Sequence, residues 1–408
     1  MLTPKQIIED IRLRQYGIGL SADPASHDVI ANMRGQLDGA LKLLSQELYA
    51  KDVHFVLELI QNAEDNTYPS DVVPEVRFTL TEDAILVQNN ENGFSEANVR
   101  ALCSVAKSKK TKVDGYIGEK GIGFKSVFRV TDEPYISSNG FTFSLPLHDA
   151  ESGLGYVIPV WHDELPEGID PGLTNIRLPL NQKGLQEPPQ IADIHPSLLL
   201  FLKKLRRIEI RNGCGSSTKW ITREGEGNRI FIRTDASTDR WVVVRRSLEV
   251  PAGIVEEKRK EVKTVEVVLA FPMTEDGTAD ASAERSVFAF LPIRQYGFRF
   301  AIQADFILTS SREDVREELT WNQWLRDCIA PLFANAVSIF KKDAGLRTNF
   351  LAYVPSAKYV TDDFFKSVPD AIIETLKESE CILEALTKPL DWHETSWRFL
   401  AGTRRVLP

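Results

Sequence analysis

Three glycines in the stretch GYIGEKGIGFKSVF, residues 115–128, are spaced G-x-x-G-x-G (Gly118, Gly121, Gly123) and are followed at once by Phe-Lys-Ser. Glycines at this density let a backbone run close to a ligand and turn its N–H groups outward, as a phosphate-binding loop requires. The two common loops of this kind are not met. A Walker loop needs G-x-x-x-x-G-K-[ST], whereas Phe124 stands between Gly123 and Lys125; a dinucleotide-binding turn needs G-x-G-x-x-G, the reverse order. The residues upstream do not read as a buried strand, which weakens both templates further. A helix is expected to start near Phe124, with its N-terminal N–H groups and dipole favouring phosphate. Taken alone, the glycines read equally well as a flexible loop.

The segments around the loop set the order of elements. Residues 4–16 and 28–65 carry apolar side chains at three- and four-residue spacing and are expected to be helical. Leu41, Leu44, Leu48, Val53, Val56, Leu57 and Ile60 fall on one stripe. EVRFTLTEDAILVQNN reads as a hairpin: Val76, Phe78 and Leu80 alternate, a Thr-Glu-Asp turn intervenes, and Ile85 and Val87 alternate in turn. A short helix is expected over 94–107, capped by Ser95 with Glu96 in its first turn. Strands are expected at 141–145, 155–160 and 174–180. The polar, proline-rich stretch 181–197 marks a break. Strand-like runs dominate beyond it until helical patterning returns at 321, where Trp321 and Trp324 have the spacing to pack a helix onto its domain, and the last sixty residues read as mostly helical.

A chain of 408 residues exceeds one ordinary domain. Its formal net charge of -9 argues against a protein whose main task is gripping nucleic acid. No apolar run approaches the roughly 18 residues of a membrane span. Cys103, Cys214, Cys328 and Cys381 lie far apart without a C-x-x-C pair and read as reduced thiols. The N-terminus lacks a signal peptide's apolar core. An intracellular protein, of cytoplasm or nucleus, is expected, and the C-terminal TRRVLP, without a closing feature, reads as an internal point of something longer.

Near the end of the amphipathic helix, ELIQNAEDN places Glu58 and Asn62 four residues apart, so both side chains leave the same face. A carboxylate and an amide so placed can meet one ligand, although such pairs are also common on solvated helices.

In order and spacing, ELIQNAEDN, VQNNENGFS, AKSKKT, GYIGEKGIGFKSVF and LTNIRLPL together resemble the GHKL superfamily of gyrase, the large heat-shock chaperones, the sensor histidine kinases and the MutL proteins. The sequence looks closest to the sacsin and NO VEIN type of histidine-kinase-like ATPase domain. The resemblance covers residues 25–185, and FLPIRQYGFRFAIQADFILTSSREDV extends it to about residue 360.

The resemblance implies an α+β chain. A Bergerat-type (GHKL) α/β sandwich with N-terminal helices would occupy 1–185, a strand-rich α/β transducer-like domain 186–345, and a helical extension 346–408. It implies ATP and Mg²⁺ as ligands and slow hydrolysis of ATP, with lid closure coupled to conformational change or dimerisation in a chaperone-like or regulatory protein. An ATP-dependent homodimer and an unidentified protein client are the partners it suggests. The alternative is a nucleotide-gated interaction module or scaffold that binds ATP without significant turnover.

Position by position, the resemblance makes Glu58 the general base that aligns a water and Asn62 the residue that holds Mg²⁺. Asp65 would sit beside the nucleotide, Asn89 would read adenine, and Gly93 would form the turn below the base. Lys107 and Ser108 match a phosphate-side Lys-Ser. Gly118, Gly121, Gly123 and Phe124 match the lid hinge and phosphate cradle, and Thr174 matches the threonine that holds the base through water. Arg312 would be the basic residue from the following domain that reaches the γ-phosphate, with Lys125 a weaker alternative and Lys109, Lys110 and Lys112 a solvated flank. Two departures stand out. The family's D-x-G-x-G reads here as Asn89-Asn90-Glu91-Asn92-Gly93, so the acid and the first glycine are missing. His54 lacks a phospho-acceptor helix pair and reads as an ordinary helix histidine.

Overall fold

Thr3 opens the fold by capping a helix: its side chain accepts from the Gln6 backbone and Gln6 reaches back, with Pro4 at the first helical position. A computed structural model describes every residue of the chain except 1, 22, 49–53, 105–122, 167, 188, 190, 192–193, 214–217, 261, 310–313 and 379–408. The chain divides into two units, Met1–Thr222 and Arg223–Pro408.

In the first unit, α1 (Pro4–Asp10) runs into a turn of π-helix, Ile11–Gln15, and α2 (Pro24–Leu48) and α3 (His54–Asp65) follow. β1 (Glu75–Leu80) and β2 (Ala84–Asn89) form the expected hairpin, with Val76 facing Asn89 and Leu80 facing Ile85. Next come α4 (Glu96–Leu102), β3 (Tyr135–Ser138), β4 (Phe141–Ser144), β5 (Val160–Trp161), β6 (Thr174–Pro179), α5 (Gln182–Gln186), β7 (Arg207–Asn212) and β8 (Thr218–Glu224). The strand order is β8-β7-β1-β2-β6-β3-β4-β5. β1 pairs with β7 in parallel and with β2 antiparallel, so the sheet is mixed. Helix α3 packs against β1 and against the 3₁₀ helix Gly123–Arg129. Its core face is Phe55, Val56, Leu59, Ile60 and Ala63, while Leu57, expected on that stripe, is only half-buried.

Several expectations are corrected. Residues 123–129 form a buried 3₁₀ helix instead of the start of an α-helix. The strand expected at 155–160 is reduced to Val160–Trp161, because Gly155 lies against the Leu147 carbonyl and Tyr156 adopts a φ of 69° that no strand permits. β3 was not expected at all. The Ser95 cap holds, with Asn98 completing the capping box.

The second unit contains β9 (Arg229–Thr234), β10 (Thr238–Glu249), β11 (Thr264–Met273), β12 (Ser286–Ala289), β13 (Leu291–Gln295) and β14 (Ala301–Gln303), in the order β13-β12-β14-β11-β10-β9. α6 (Thr320–Asp327), α7 (Ile329–Phe340) and α8 (Val368–Lys377) follow. Helix α7 packs on β10 and β11, and Phe271 at its centre meets the rings of Phe300, Phe333, Phe340 and Tyr353. Trp321 is buried, donates from Nε1 to the Asp305 carbonyl and packs edge-on against Trp324, in keeping with its helical spacing. Among the described residues beyond 345, only α8 and a 3₁₀ turn at Phe350–Tyr353 are helical, because turns fill the intervening stretch. No helix among the described residues is long and apolar enough to cross a membrane.

Candidate functional site

The last two turns of α3 carry Glu58, Gln61, Asn62 and Asp65 at spacings of three and four, hence on one face. That face is polar, yet it is not a solvated one. Glu58 is 8% exposed, Gln61 7% and Asp65 3%, while Asn62 is half-buried. Gln61 Oε1 has no hydrogen-bond partner among the described residues. Buried polar atoms are normally paired, so the partner of this one lies outside the described residues. Against this face lies the end of the glycine segment: a Cβ placed on Gly123 would sit 1.9 Å from Glu58 Oε2. Phe124, next in sequence, is buried.

A second polar cluster forms where β2 and β6 end. Their register pairs Asn89 directly with Thr174, so the two residues assigned to the base by separate motifs are cross-strand neighbours. Asn89 Nδ2 donates to the Tyr68 hydroxyl at 2.7 Å and to the Glu75 carbonyl at 2.8 Å. Those bonds fix the amide's orientation and leave Oδ1 buried without a partner among the described residues. Tyr68 in turn donates to the Ala63 carbonyl at 2.6 Å, next to Asn62. This one hydroxyl therefore ties the last turns of α3 to the Asn89 end of β2. Behind Thr174, Asn175 is fully buried and accepts from Gln88 Nε2 at 2.9 Å, which holds the two strand ends together.

The turn at Gly93 completes this end. Its φ is +87°, and a Cβ there would approach Asn139 Cβ to 2.7 Å. Glycine is required both by the dihedral and by the close approach. Phe94 donates its N–H to Ser138 Oγ, and Asn139 Nδ2 donates to the Phe94 carbonyl, so the turn is docked on the β3–β4 connection.

Two buried charges brace the site without lining it. The Glu64 carboxylate accepts from the backbone N–H groups of Lys203, Lys204 and Leu205 at 2.5–3.1 Å, tying α3 to the segment that leads into β7. Burial pushes its pKa upward, and those three amides oppose the rise. The Lys125 ammonium donates to the carbonyls of Leu102 and Tyr156 at 2.8 and 2.7 Å, and burial lowers its pKa to about 8. It thereby joins the two described stems of the 105–122 segment. A role for Lys125 at the γ-phosphate is overturned by this geometry, since its amine is buried on backbone carbonyls.

Of the residues singled out in the sequence, Glu58, Asn62, Asp65, Gly123 and Phe124 gather along α3 and the 3₁₀ helix. Asn89, Gly93 and Thr174 gather at the strand ends. Lys107, Ser108, Gly118, Gly121 and Arg312 lie outside the described residues. Sequence reasoning passed over Gln61, Glu64, Tyr68 and Ser138. Only Gln61 left a trace there, as a further polar residue on the Glu58–Asn62 face.

The Sacsin domain family model matches residues 45–149. Over 410 aligned positions and 92% of its length, the chain is 38% identical to Protein NO VEIN of Arabidopsis thaliana. They fit a sacsin and NO VEIN-like family. A weaker likeness, 25% identity over 177 residues and 37% of the chain, is to Chaperone protein HtpG of Borreliella afzelii (strain PKo). The chain spans 15% of the NO VEIN protein and 28% of HtpG.

Proposed function

We propose that the first unit is an ATP-binding domain of the GHKL type, with a Bergerat-like arrangement of α3 over the sheet, and that it hydrolyses ATP slowly. The observation that carries this reading is the buried polar face of α3 with the Glu58 carboxylate set against Gly123. The stripe brings two carboxylates and two amides to one face of a helix, and here a glycine lies where a side chain would otherwise occupy the space. The orphaned Asn89 Oδ1, an acceptor suited to a base amine, supports the same reading at the other end of the site. The likeness to a protein named a chaperone supports a chaperone-like output.

In this reading Glu58 orients a water toward the terminal phosphorus and takes up its proton as attack proceeds. Asn62, one turn on, supplies the amide oxygen for Mg²⁺. Among the described residues no group of three His, Cys, Asp or Glu side chains is arranged for a metal, so Asn62 would act together with phosphate and water oxygens, as Mg²⁺ favours. Bound there, the ion would neutralise phosphate charge. Lid closure over the bound nucleotide is the step we assign to conformational output, with dimerisation or client binding downstream.

Calorimetric titration with ATP, with and without Mg²⁺ and with GTP as control, tests the reading. We expect Mg²⁺-dependent binding that prefers ATP and that Asn62→Ala weakens. Absence of ATP binding by the wild-type chain would overturn it.

A further inference from the structure

The hydroxyl protons beside Thr174 run in one direction. Phe94 N–H donates to Ser138 Oγ at 2.8 Å, Ser138 Oγ and Thr174 Oγ1 are 2.6 Å apart, and Thr174 Oγ1 donates to Glu91 Oε1 at 2.8 Å. An ionised carboxylate only accepts, so the single proton of Thr174 is committed to Glu91. Ser138 must then direct its own proton at Thr174. The relay ends on a negative charge.

Through Thr174, the cross-strand neighbour of Asn89, that charge is tied to the same strand end. Burial raises the pKa of the Tyr68 hydroxyl, the one that accepts from Asn89 Nδ2, and the negative charge of Glu91 adds to the rise. Both hydrogens of the Asn89 amide are committed to Tyr68 and Glu75. Asn89 therefore offers the site an acceptor, Oδ1, and Thr174 offers it no proton. The polar groups of this strand end are thus acceptors and a carboxylate, and a base edge that meets them must donate.

The geometry points to Glu91 as the specificity-determining acid of the base pocket: its carboxylate, held by the Ser138–Thr174 relay, selects for the exocyclic amine of adenine together with Asn89 Oδ1. The acid that the family pattern places at position 89 has moved two residues along the chain, to the place of the pattern's first glycine. This inference rests on the nucleotide-binding reading above.

Glu91→Gln tests it with two ligands, ATP and purine riboside triphosphate, which lacks the amine. In the variant the Gln oxygen accepts from Thr174 and its NH₂ faces the base, so donor meets donor. A hydrogen bond to a charged group is worth roughly tenfold or more in affinity, so the wild-type chain should prefer ATP over the analogue by about that factor. The variant should lose that preference while its affinity for the analogue is unchanged. An unchanged ATP-to-analogue ratio in Glu91→Gln overturns the assignment. So does equal loss of both ligands, which would give Glu91 only the task of holding the turn. If the wild-type chain binds neither ligand, the nucleotide-binding reading itself fails and takes this inference with it.

Discussion

Glu58 and Gly123 exclude one another's side chains: a Cβ on Gly123 would lie 1.9 Å from Glu58 Oε2 and 2.9 Å from its Cδ. The glycine at the end of the loop thus exists in the space that the carboxylate needs, and the two are distant in sequence. No positive φ imposes glycine here, so the constraint is contact alone.

Gly123→Ala should therefore separate stability from activity. The clashing atoms belong to the far end of a flexible side chain, which can swing away cheaply, so the melting temperature should move by no more than about 4 °C. The displaced carboxylate should lose its alignment, and a shift of about 1 Å in a catalytic group can cost roughly a hundredfold in rate. Thermal denaturation and phosphate release on the same preparation check both halves. A variant with undiminished release would remove the significance of the contact.

Glu64→Ala should do the reverse. It removes the acceptor of three backbone N–H groups, that of Leu205 buried and those of Lys203 and Lys204 part-buried, and a buried one costs about 1–3 kcal/mol when left unpaired. Allowing for water entering the gap, we expect a loss of about 3 kcal/mol in denaturant titration, with faster hydrogen exchange at the amides of 203–205. Unchanged exchange there would contradict the bracing role.

Lys125 gives a pH dependence with a defined sign. Its folded pKa of about 8 lies below the ordinary 10.5, so between those values the unfolded chain binds more protons than the folded one. Stability contributed through this group should rise with pH across that window, since the burial penalty on the ammonium is relieved. Subtracting the same profile for Lys125→Met isolates the effect. A wild-type-minus-variant difference that is flat from pH 8 to 10.5 would show that the amine is not buried as a charge.

The parts of this site that were legible in the sequence are those set by local spacing. Glu58 and Asn62 share a face because helices repeat, and Ser95 caps because a serine before a helical run has a free backbone amide to satisfy. The pairing of Asn89 with Thr174 was legible only as two motifs of matching type; the strand register that makes them neighbours is a tertiary fact. Glu64 and Tyr68 were illegible because their partners lie far away or are backbone atoms without sequence identity. Lys125 misled for a related reason: a lysine after a glycine loop suggests phosphate, and nothing local announces two backbone carbonyls waiting for it.

The most direct test of the central claim is phosphate release from Mg²⁺–ATP by the wild-type chain and by Glu58→Ala, with ATP affinity measured on both. If Glu58 is the base, the variant should bind ATP within about threefold of wild type while release falls by roughly a hundredfold or more. Release at the wild-type rate from a chain without the Glu58 carboxylate would contradict the account.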